Sequence, residues 1–333
     1  MQSHSCWSHD SCCTLPEILD GAKEAKLDFI FLSDHPHGKL DTFPRGYHGF
    51  YDGIIIEAGT ESSNGLMVQP FDSVTLNWNQ PFDTLVHQVV ANVGLVTYVH
   101  TEKPHPWGNP DYQAMEIYNI HTDLLDEDGI LPFVINSLVN GDRFRHWGFR
   151  ELYDGQTAII ANWDSLNQHR RITGIGAVDA HNNNGFKARY LQDGQVEWRG
   201  PNNDLISIKK PNLLDKRLLG DPDKYGWNFK WAMDPYFNSF NYVNNHVFCD
   251  TFSNIDIKEN IIKGHVLVAF ESLAPAKGFQ YFSVNEKDSV TAIVGDSVAV
   301  ADADQLKAVS PFPVKFQLFS NGKMVDEGEE SYQ

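Results

Sequence analysis

Cysteine is scarce: Cys6, Cys12, Cys13 and Cys249 are the four in 333 residues. Three crowd into one short stretch and the fourth lies far away. That spacing excludes a disulfide framework and paired CxxC zinc knuckles, and it predicts free thiols beside a site. Basic residues are also few, 26 Lys and Arg against 44 Asp and Glu, for a formal charge of −18. A chain that neutralised nucleic-acid phosphates would carry the opposite balance, so no nucleic-acid partner is expected. A small anionic substrate stays open, because a bound metal reverses the local field. No apolar run reaches the roughly eighteen residues of a membrane span. No signal peptide precedes the first motif, which leaves two options for a soluble chain: a cytoplasmic location, or export with the leader removed. Neither a G-x-S-x-G elbow nor a P-loop is present, which removes serine hydrolases of that type and P-loop ATP hydrolysis.

What is present is an alternation of elements. Thr14, Pro16 and Glu17 open an amphipathic helix over LPEILDGAKEAK, residues 15 to 26. LDFIFLSDH, DGIIIEAGTE, LVTYVH, AMEIYNIH and ITGIGAVDAH read as apolar strands ending in polar residues, and FDTLVHQVVANVG and TAIIANWDSLNQH as helices between them. Strands alternating with helices predict a parallel α/β architecture, with a site at the carboxyl ends of the strands. The texture changes near residue 190. Residues 191–245, rich in Asn, Asp, Pro and aromatics, are expected to connect a domain over 1–190 to a small antiparallel β-sandwich over 246–333, built from runs such as HVLVAFES and VTAIVG.

The strand ends hold His35, Glu61, His100, His121, Asp179 and His181, and His4, His9 and Asp10 lie in a loop near the start. Packing alone does not explain a metal-capable side chain at every strand end. Imidazoles with carboxylates suit Zn, Mn or Fe, and a set without thiolates favours a catalytic over a structural site. In Asp179-Ala-His181 the period-2 spacing turns both side chains to one face. Glu61 is the candidate bridging carboxylate, with Glu57 as its competitor. His37, His48, His87, His146, His169, His246 and His265 have no consistent placement.

The series HSCWSHDS, LSDH, GTE, YVH, MEIYNIH and VDAH, in this order, resembles the polymerase and histidinol phosphatase (PHP) family of metal-dependent hydrolases. The resemblance is strongest to the branch with a C-terminal β-sandwich that includes carbaryl-hydrolase-like enzymes. It implies a distorted seven-stranded β/α barrel holding two or three divalent metal ions. It implies metal-ligand roles for His4, for His9 or Asp10, and for His35, Glu61, His100, His121, Asp179 and His181. Glu61, Asp179 and His181 would also serve catalysis, and Asp34 would orient His35. One position departs from the family: its His-x-His opening places a histidine where this chain has Gln2, and residue 2 is expected to fray.

The expected activity is phosphoester hydrolysis by a metal-bridging hydroxide acting on a small-molecule ester. The alternatives are a carboxylic ester, carbamate or amide hydrolase with the same centre, and a non-catalytic ligand-binding protein with a metal site degenerate at Gln2. Lys103, His105 and Asn119 are the substrate-side candidates, with Arg143 to Arg150 as further cations, and Trp107, Tyr118 and Trp147 as lining residues.

Overall fold

The chain begins its regular structure at a capping box. The Thr14 backbone N–H and hydroxyl both donate to the Glu17 carboxylate, at 2.9 and 3.1 Å, and start α1 (Leu15–Glu24). The computed structural model describes every residue except 12, 37–41, 63–64, 70–75, 79, 93, 127–138, 141–149, 151, 223–225 and 330–333. Cys12, His37, Arg143, His146 and Trp147 therefore lie outside the described residues.

The protein is a mixed α/β fold. β1 (Phe29–Phe31), β2 (Gly49–Tyr51) and β3 (Ile54–Glu57) form one sheet in the order β1-β3-β2. A second sheet runs β4 (Thr60–Ser62), β5 (Leu66–Gln69), β6 (Leu95–Tyr98), β7 (Ala114–Asn119) and β8 (Thr173–Ala177) in sequence order. α2 (Phe82–Ala91), α3 (Ile120–Asp126) and α4 (Thr157–Asn167) fall between these strands. The expected parallel α/β architecture holds for part of this sheet. β6, β7 and β8 are parallel, but β5 runs antiparallel to both β4 and β6. The link from β4 to β5 is too short for a crossover, so the chain turns back as a hairpin.

The first residues act as a strand between the two ends of this system. Ala180 and Ser3 form a parallel bridge, with the His4 N–H donating to the Ala180 carbonyl at 2.9 Å. On the other side the Ser33 N–H donates to the Ser3 carbonyl at 2.8 Å, and Asp34 bridges Thr60. Residue 2 is thus not frayed: Gln2 is fully buried.

The segment expected to be connecting carries a four-stranded antiparallel sheet, β9 (Gly185–Tyr190), β10 (Val196–Arg199), β11 (Leu205–Lys209) and β12 (Phe229–Ala232), in the order β11-β10-β9-β12. Its alternation is concealed because charged side chains sit inside. Glu197 is buried between Arg189 and Arg199, at 2.6 and 2.5 Å. α5 (Leu213–Leu219) lies between β11 and β12, and α6 (Tyr236–Phe240) packs against α1. That packing needs Gly21, where a Cβ would fall 2.7 Å from Tyr236 Cβ.

The expected division between residues 245 and 246 passes through β13 (Asn244–Val247). β13, α7 (Asn254–Lys263) and β14 (Val266–Ala269) are tied to β8: the Asn245 amide pairs with both backbone groups of Gly176, and Thr173 Oγ1 donates to the Ile261 carbonyl at 2.6 Å. Ile257, Ile261 and Val266 share one buried cluster with Phe31, Ile55, Met67, Leu95 and Ile175. Beyond them lie the antiparallel sheet of β15 (Gln280–Val284), β16 (Val290–Ile293) and β17 (Gln305–Val309), and the hairpin of β18 (Lys315–Ser320) and β19 (Lys323–Glu329).

Candidate metal centre

Backbone geometry marks the centre first. Gln2, His100 and Asp179 all have positive φ, at 56, 53 and 43°. Non-glycine residues enter this left-handed region at a cost of about 1–3 kcal/mol, and such positions cluster at functional sites. These three come from distant parts of the chain and meet at one place.

Two groups of ligand-capable atoms converge there, each with its atoms within 4.8 Å of one another: His4, Asp10, His35 and His181, and His4, Glu61 and Asp179. His4 is the shared member. Its Nε2 lies 3.4 Å from Glu61 Oε2 and 3.3 Å from Asp179 Oδ1, and its ring stacks on that of His181 with centroids 3.9 Å apart. Asp10 Oδ2 lies 3.2 Å from His181 Nε2 and 3.5 Å from His35 Nε2. Between His9 and Asp10 the geometry separates clearly. Asp10 enters the first group, whereas His9 is exposed, belongs to neither group, and has its ring centroid 5.5 Å from that of His35. His100 and His121 stand at the edge of the groups. His100 Nε2 is 3.2 Å from Glu61 Oε1, and His121 Nδ1 is 3.8 Å from Asp179 Oδ2. His121 lies in the first turn of α3 rather than on a strand.

Opposite charges shift one another across the centre. Burial works to lower His4, but the Asp179 and Glu61 carboxylates beside it overcome this and raise it to about 10. Burial likewise opposes a charged His100, which Glu61 and Glu116 nonetheless raise to about 9. Burial would raise Glu61, yet His100 and His4 hold it down to about 2. Asp179 and Asp10 are also held well below the carboxylate range, against burial, by His181 and His4 and by His181 and Ser8 respectively. Despite these pairings, Asp179 Oδ1 and His181 Nε2 are buried with no hydrogen bond of acceptable geometry. Orphaned lone pairs facing a histidine–carboxylate set are what a divalent cation would satisfy, so the residues fit such an ion.

The supporting residues were mostly not foreseen. Ser8 Oγ donates to Asp10 Oδ1 at 2.7 Å and accepts from the His35 N–H at 3.1 Å. The Tyr236 hydroxyl donates to the His4 carbonyl. Asp34 was expected to orient His35. It instead accepts from the Ser5 N–H and hydroxyl, at 2.5 and 2.7 Å, and so shapes the loop that carries Ser8. Glu116, within the MEIYNIH motif, is fully buried. Its carboxyl accepts from the His100 N–H at 2.7 Å, and burial pushes it up to about 8. Glu57, the competitor to Glu61, is taken by Lys258 and Asn254, at 3.1 and 3.0 Å.

A cleft of about 560 Å³ opens beside the centre, lined by His35, Glu61, His100, Lys103, Pro104 and His105 among others. Lys103 is exposed, with Nζ 3.7 Å from Glu102. His105 is anchored on the His100 carbonyl and stacks on Tyr98. Asn119 does not face the cleft: it is buried and bonded to Gln2 and Glu116. Tyr118 spends its hydroxyl on Asp123 and Tyr242, and Trp107 packs in the core around Tyr98. Arg150 reaches the Leu273 carbonyl. A second cavity, about 830 Å³, is lined by a different set including Phe43, His48, Glu57 and Phe252. Of the cysteines, Cys6, Cys13 and Cys249 are free thiols and none joins either ligand group. No helix among the described residues is long and apolar enough to cross a membrane.

No family profile matches the chain. No curated protein matches it either. By structure the chain is similar to a two-domain protein of Bacteroides vulgatus ATCC 8482 that contains a predicted PHP-like metal-dependent phosphoesterase, at 13% identity and a TM-score of 0.42. The match covers 81% of this chain and 63% of that one, so the chain spans under two thirds of that protein's length.

Proposed function

We propose that the chain is a metal-dependent hydrolase of phosphoesters, with two or three divalent ions of Zn, Mn or Fe held in the centre around His4. The observation that carries this reading is the pair of overlapping ligand groups, with Asp179 Oδ1 and His181 Nε2 buried and unbonded inside them. Asp10, His35 and His181 would hold one ion and Glu61 and Asp179 another, with His4 placed to serve either, and with His100 and His121 at the edge. Bound ions supply Lewis acidity, lowering the pKa of a water towards neutrality and polarising the ester. The chain's own part is to bind and orient. Ser8 fixes the Asp10 carboxylate and the His35 backbone together, and Tyr236 fixes His4. Glu61 and Asp179 stay ionised and keep an acceptor face towards the centre.

The hydrogen bonds on both sides of Ser3, with the bridge from Asp34 to Thr60, support reading the two sheets as one closed, distorted barrel of seven strands. The shared core supports assigning residues 244–269 to that barrel, with the antiparallel elements over 280–329 as a separate module.

The cleft favours a second reading. Among the described residues that line it, Lys103 is the one lysine and there is no arginine, while Phe82, Pro104 and Pro106 are apolar. That lining suits an uncharged carboxylic ester or carbamate. The test compares p-nitrophenyl phosphate, its bis ester and p-nitrophenyl acetate before and after chelation and metal return, with ions per chain counted by elemental analysis. Phosphoester turnover lost with the metal supports the proposal. Acetate turnover alone moves the assignment to the ester hydrolase. No bound ion after reconstitution rejects both.

A further inference from the structure

The amide of Gln2 is buried inside the centre, and its polarity is fixed by a chain of hydrogen bonds that starts at the backbone. A backbone N–H can only donate. The His121 N–H lies 2.9 Å from the Asn119 side-chain oxygen, so that atom is the acceptor and Asn119 Nδ2 is the donor. Asn119 Nδ2 then gives its hydrogens to Gln2 Oε1 at 2.8 Å and to Glu116 Oε2 at 3.1 Å. Gln2 Oε1 is therefore engaged, and Gln2 Nε2 is left facing Glu61 Oε2 at 3.0 Å and His100 Nε2 at 3.2 Å. The Asn119 backbone is itself clamped by Gln156, which accepts from its N–H at 3.2 Å and donates to its carbonyl at 2.7 Å. Turning either amide over would oppose donor to donor at His121 or between Gln2 and Asn119.

Glu61 and His100 are 3.2 Å apart and would together face a cation. A Gln2 N–H already lies against Glu61, the same nitrogen fills the space beside His100 Nε2, and His100 belongs to neither of the ligand groups. We propose that Gln2 is a positioning residue whose amide substitutes for a cation between Glu61 and His100, so that this chain's centre carries one metal position fewer than its imidazoles and carboxylates would otherwise support. Asn119 sets the direction of that amide. The inference rests on the metal-dependent reading of the centre.

The test counts ions, not turnover. Wild type, Gln2→His and Asn119→Asp are stripped with chelator, shown to be folded by their thermal melts, reloaded with Zn²⁺ under identical conditions, and measured by elemental analysis and calorimetric titration. Gln2→His replaces the donor with a ring nitrogen and is expected to bind one more ion per chain than wild type. Asn119→Asp keeps the acceptor for His121 but cannot donate to Gln2. The Gln2 amide then turns over, presents Oε1 to the Glu61–His100 side, and is expected to raise affinity there at least tenfold. This second variant is nearly isosteric and stands in if Gln2→His does not fold. Counts and affinities equal to wild type in both variants overturn the inference, whatever the starting count. A wild-type count of zero rejects the metal reading itself, so the two failures are told apart.

Discussion

The carboxylates buried around Glu57 and those buried around Glu61 and Asp179 are finished differently. Around Glu57 the negative charge is met inside the protein: the fully buried Lys258 at 3.1 Å, the Asn254 amide at 3.0 Å, and His48 Nδ1 at 3.4 Å. Around Glu61 and Asp179 there is no lysine or arginine among the described partners. Imidazoles and the Gln2 amide face the carboxylates, and Asp179 Oδ1 and His181 Nε2 go unbonded. The first cluster is an ion pair that ties α7 to the end of β3. The second is built from groups that can exchange a proton for a cation. The contrast teaches that burial and charge do not mark a site; the kind of counter-charge does.

The sharpest way to break the comparison is Asp179→Ala. It removes the carboxylate that meets His4, His121 and His181 together. Bound ions supply several kcal/mol to such a reaction, so kcat for the phosphoester is expected to fall by about a thousandfold or more, with fewer ions per chain. Unchanged ion content with unchanged kcat would remove Asp179 from the centre.

Lys258→Met makes the opposite cut. It leaves Glu57 without its buried counter-charge, and the expected loss is about 3 kcal/mol of unfolding free energy in a denaturant titration. Ion content should stay at the wild-type value, because Lys258 pairs with Glu57, which belongs to neither ligand group. A Lys258→Met protein as stable as wild type would show that the pair contributes little. The same cluster predicts a pH dependence. Burial acts to raise Glu57, but His48, Lys258 and Asn254 overcome it and hold the carboxyl below its ordinary 4.5. A carboxylate lowered in the folded state contributes stability that is present above its unfolded pKa and is lost as pH falls through the folded one. Melting temperature should therefore drop below about pH 4.5, and the drop should be shallower in Glu57→Gln. Parallel acid curves for the two proteins would contradict the assignment.

How much of this could be read from the residues differs between the clusters. The convergence of His35, Glu61, Asp179 and His181 was legible from polar residues following apolar strand runs, but not from strand periodicity: Asp179 and His181 lie past the end of β8, Asp179 has a φ of 43°, and the two enter different ligand groups. The helix start at Thr14 was legible from its capping box. The choice between His9 and Asp10 was not, since both are metal-capable and only the Ser8 hydrogen bond aims Asp10 inward. Asn119 read as a pocket residue, and its real neighbours, Gln2 and Gln156, lie far off in sequence. Lys258 was invisible, because a lysine on an amphipathic helix ordinarily faces water. The sheet over 185–232 was hidden by Glu197 and Lys187 pointing inward, which spoils the apolar alternation.

The smallest effect tests how far the centre depends on its supports. Ser8 Oγ holds Asp10 Oδ1 at 2.7 Å and the His35 N–H at 3.1 Å, but it is placed in neither ligand group. Ser8→Ala leaves every proposed ligand in place and frees the Asp10 carboxylate to rotate. Groups that orient ligands in this way typically contribute about 10- to 100-fold in metal affinity. The expected result is a roughly tenfold weaker Zn²⁺ affinity by calorimetric titration, with the ion count unchanged at saturation and Lys258-dependent stability untouched. A loss of a whole ion would promote Ser8 to a ligand. No change in affinity would mean that the loop is held by Asp34 and Ser5 alone, through the bonds of 2.5 and 2.7 Å that fix its backbone.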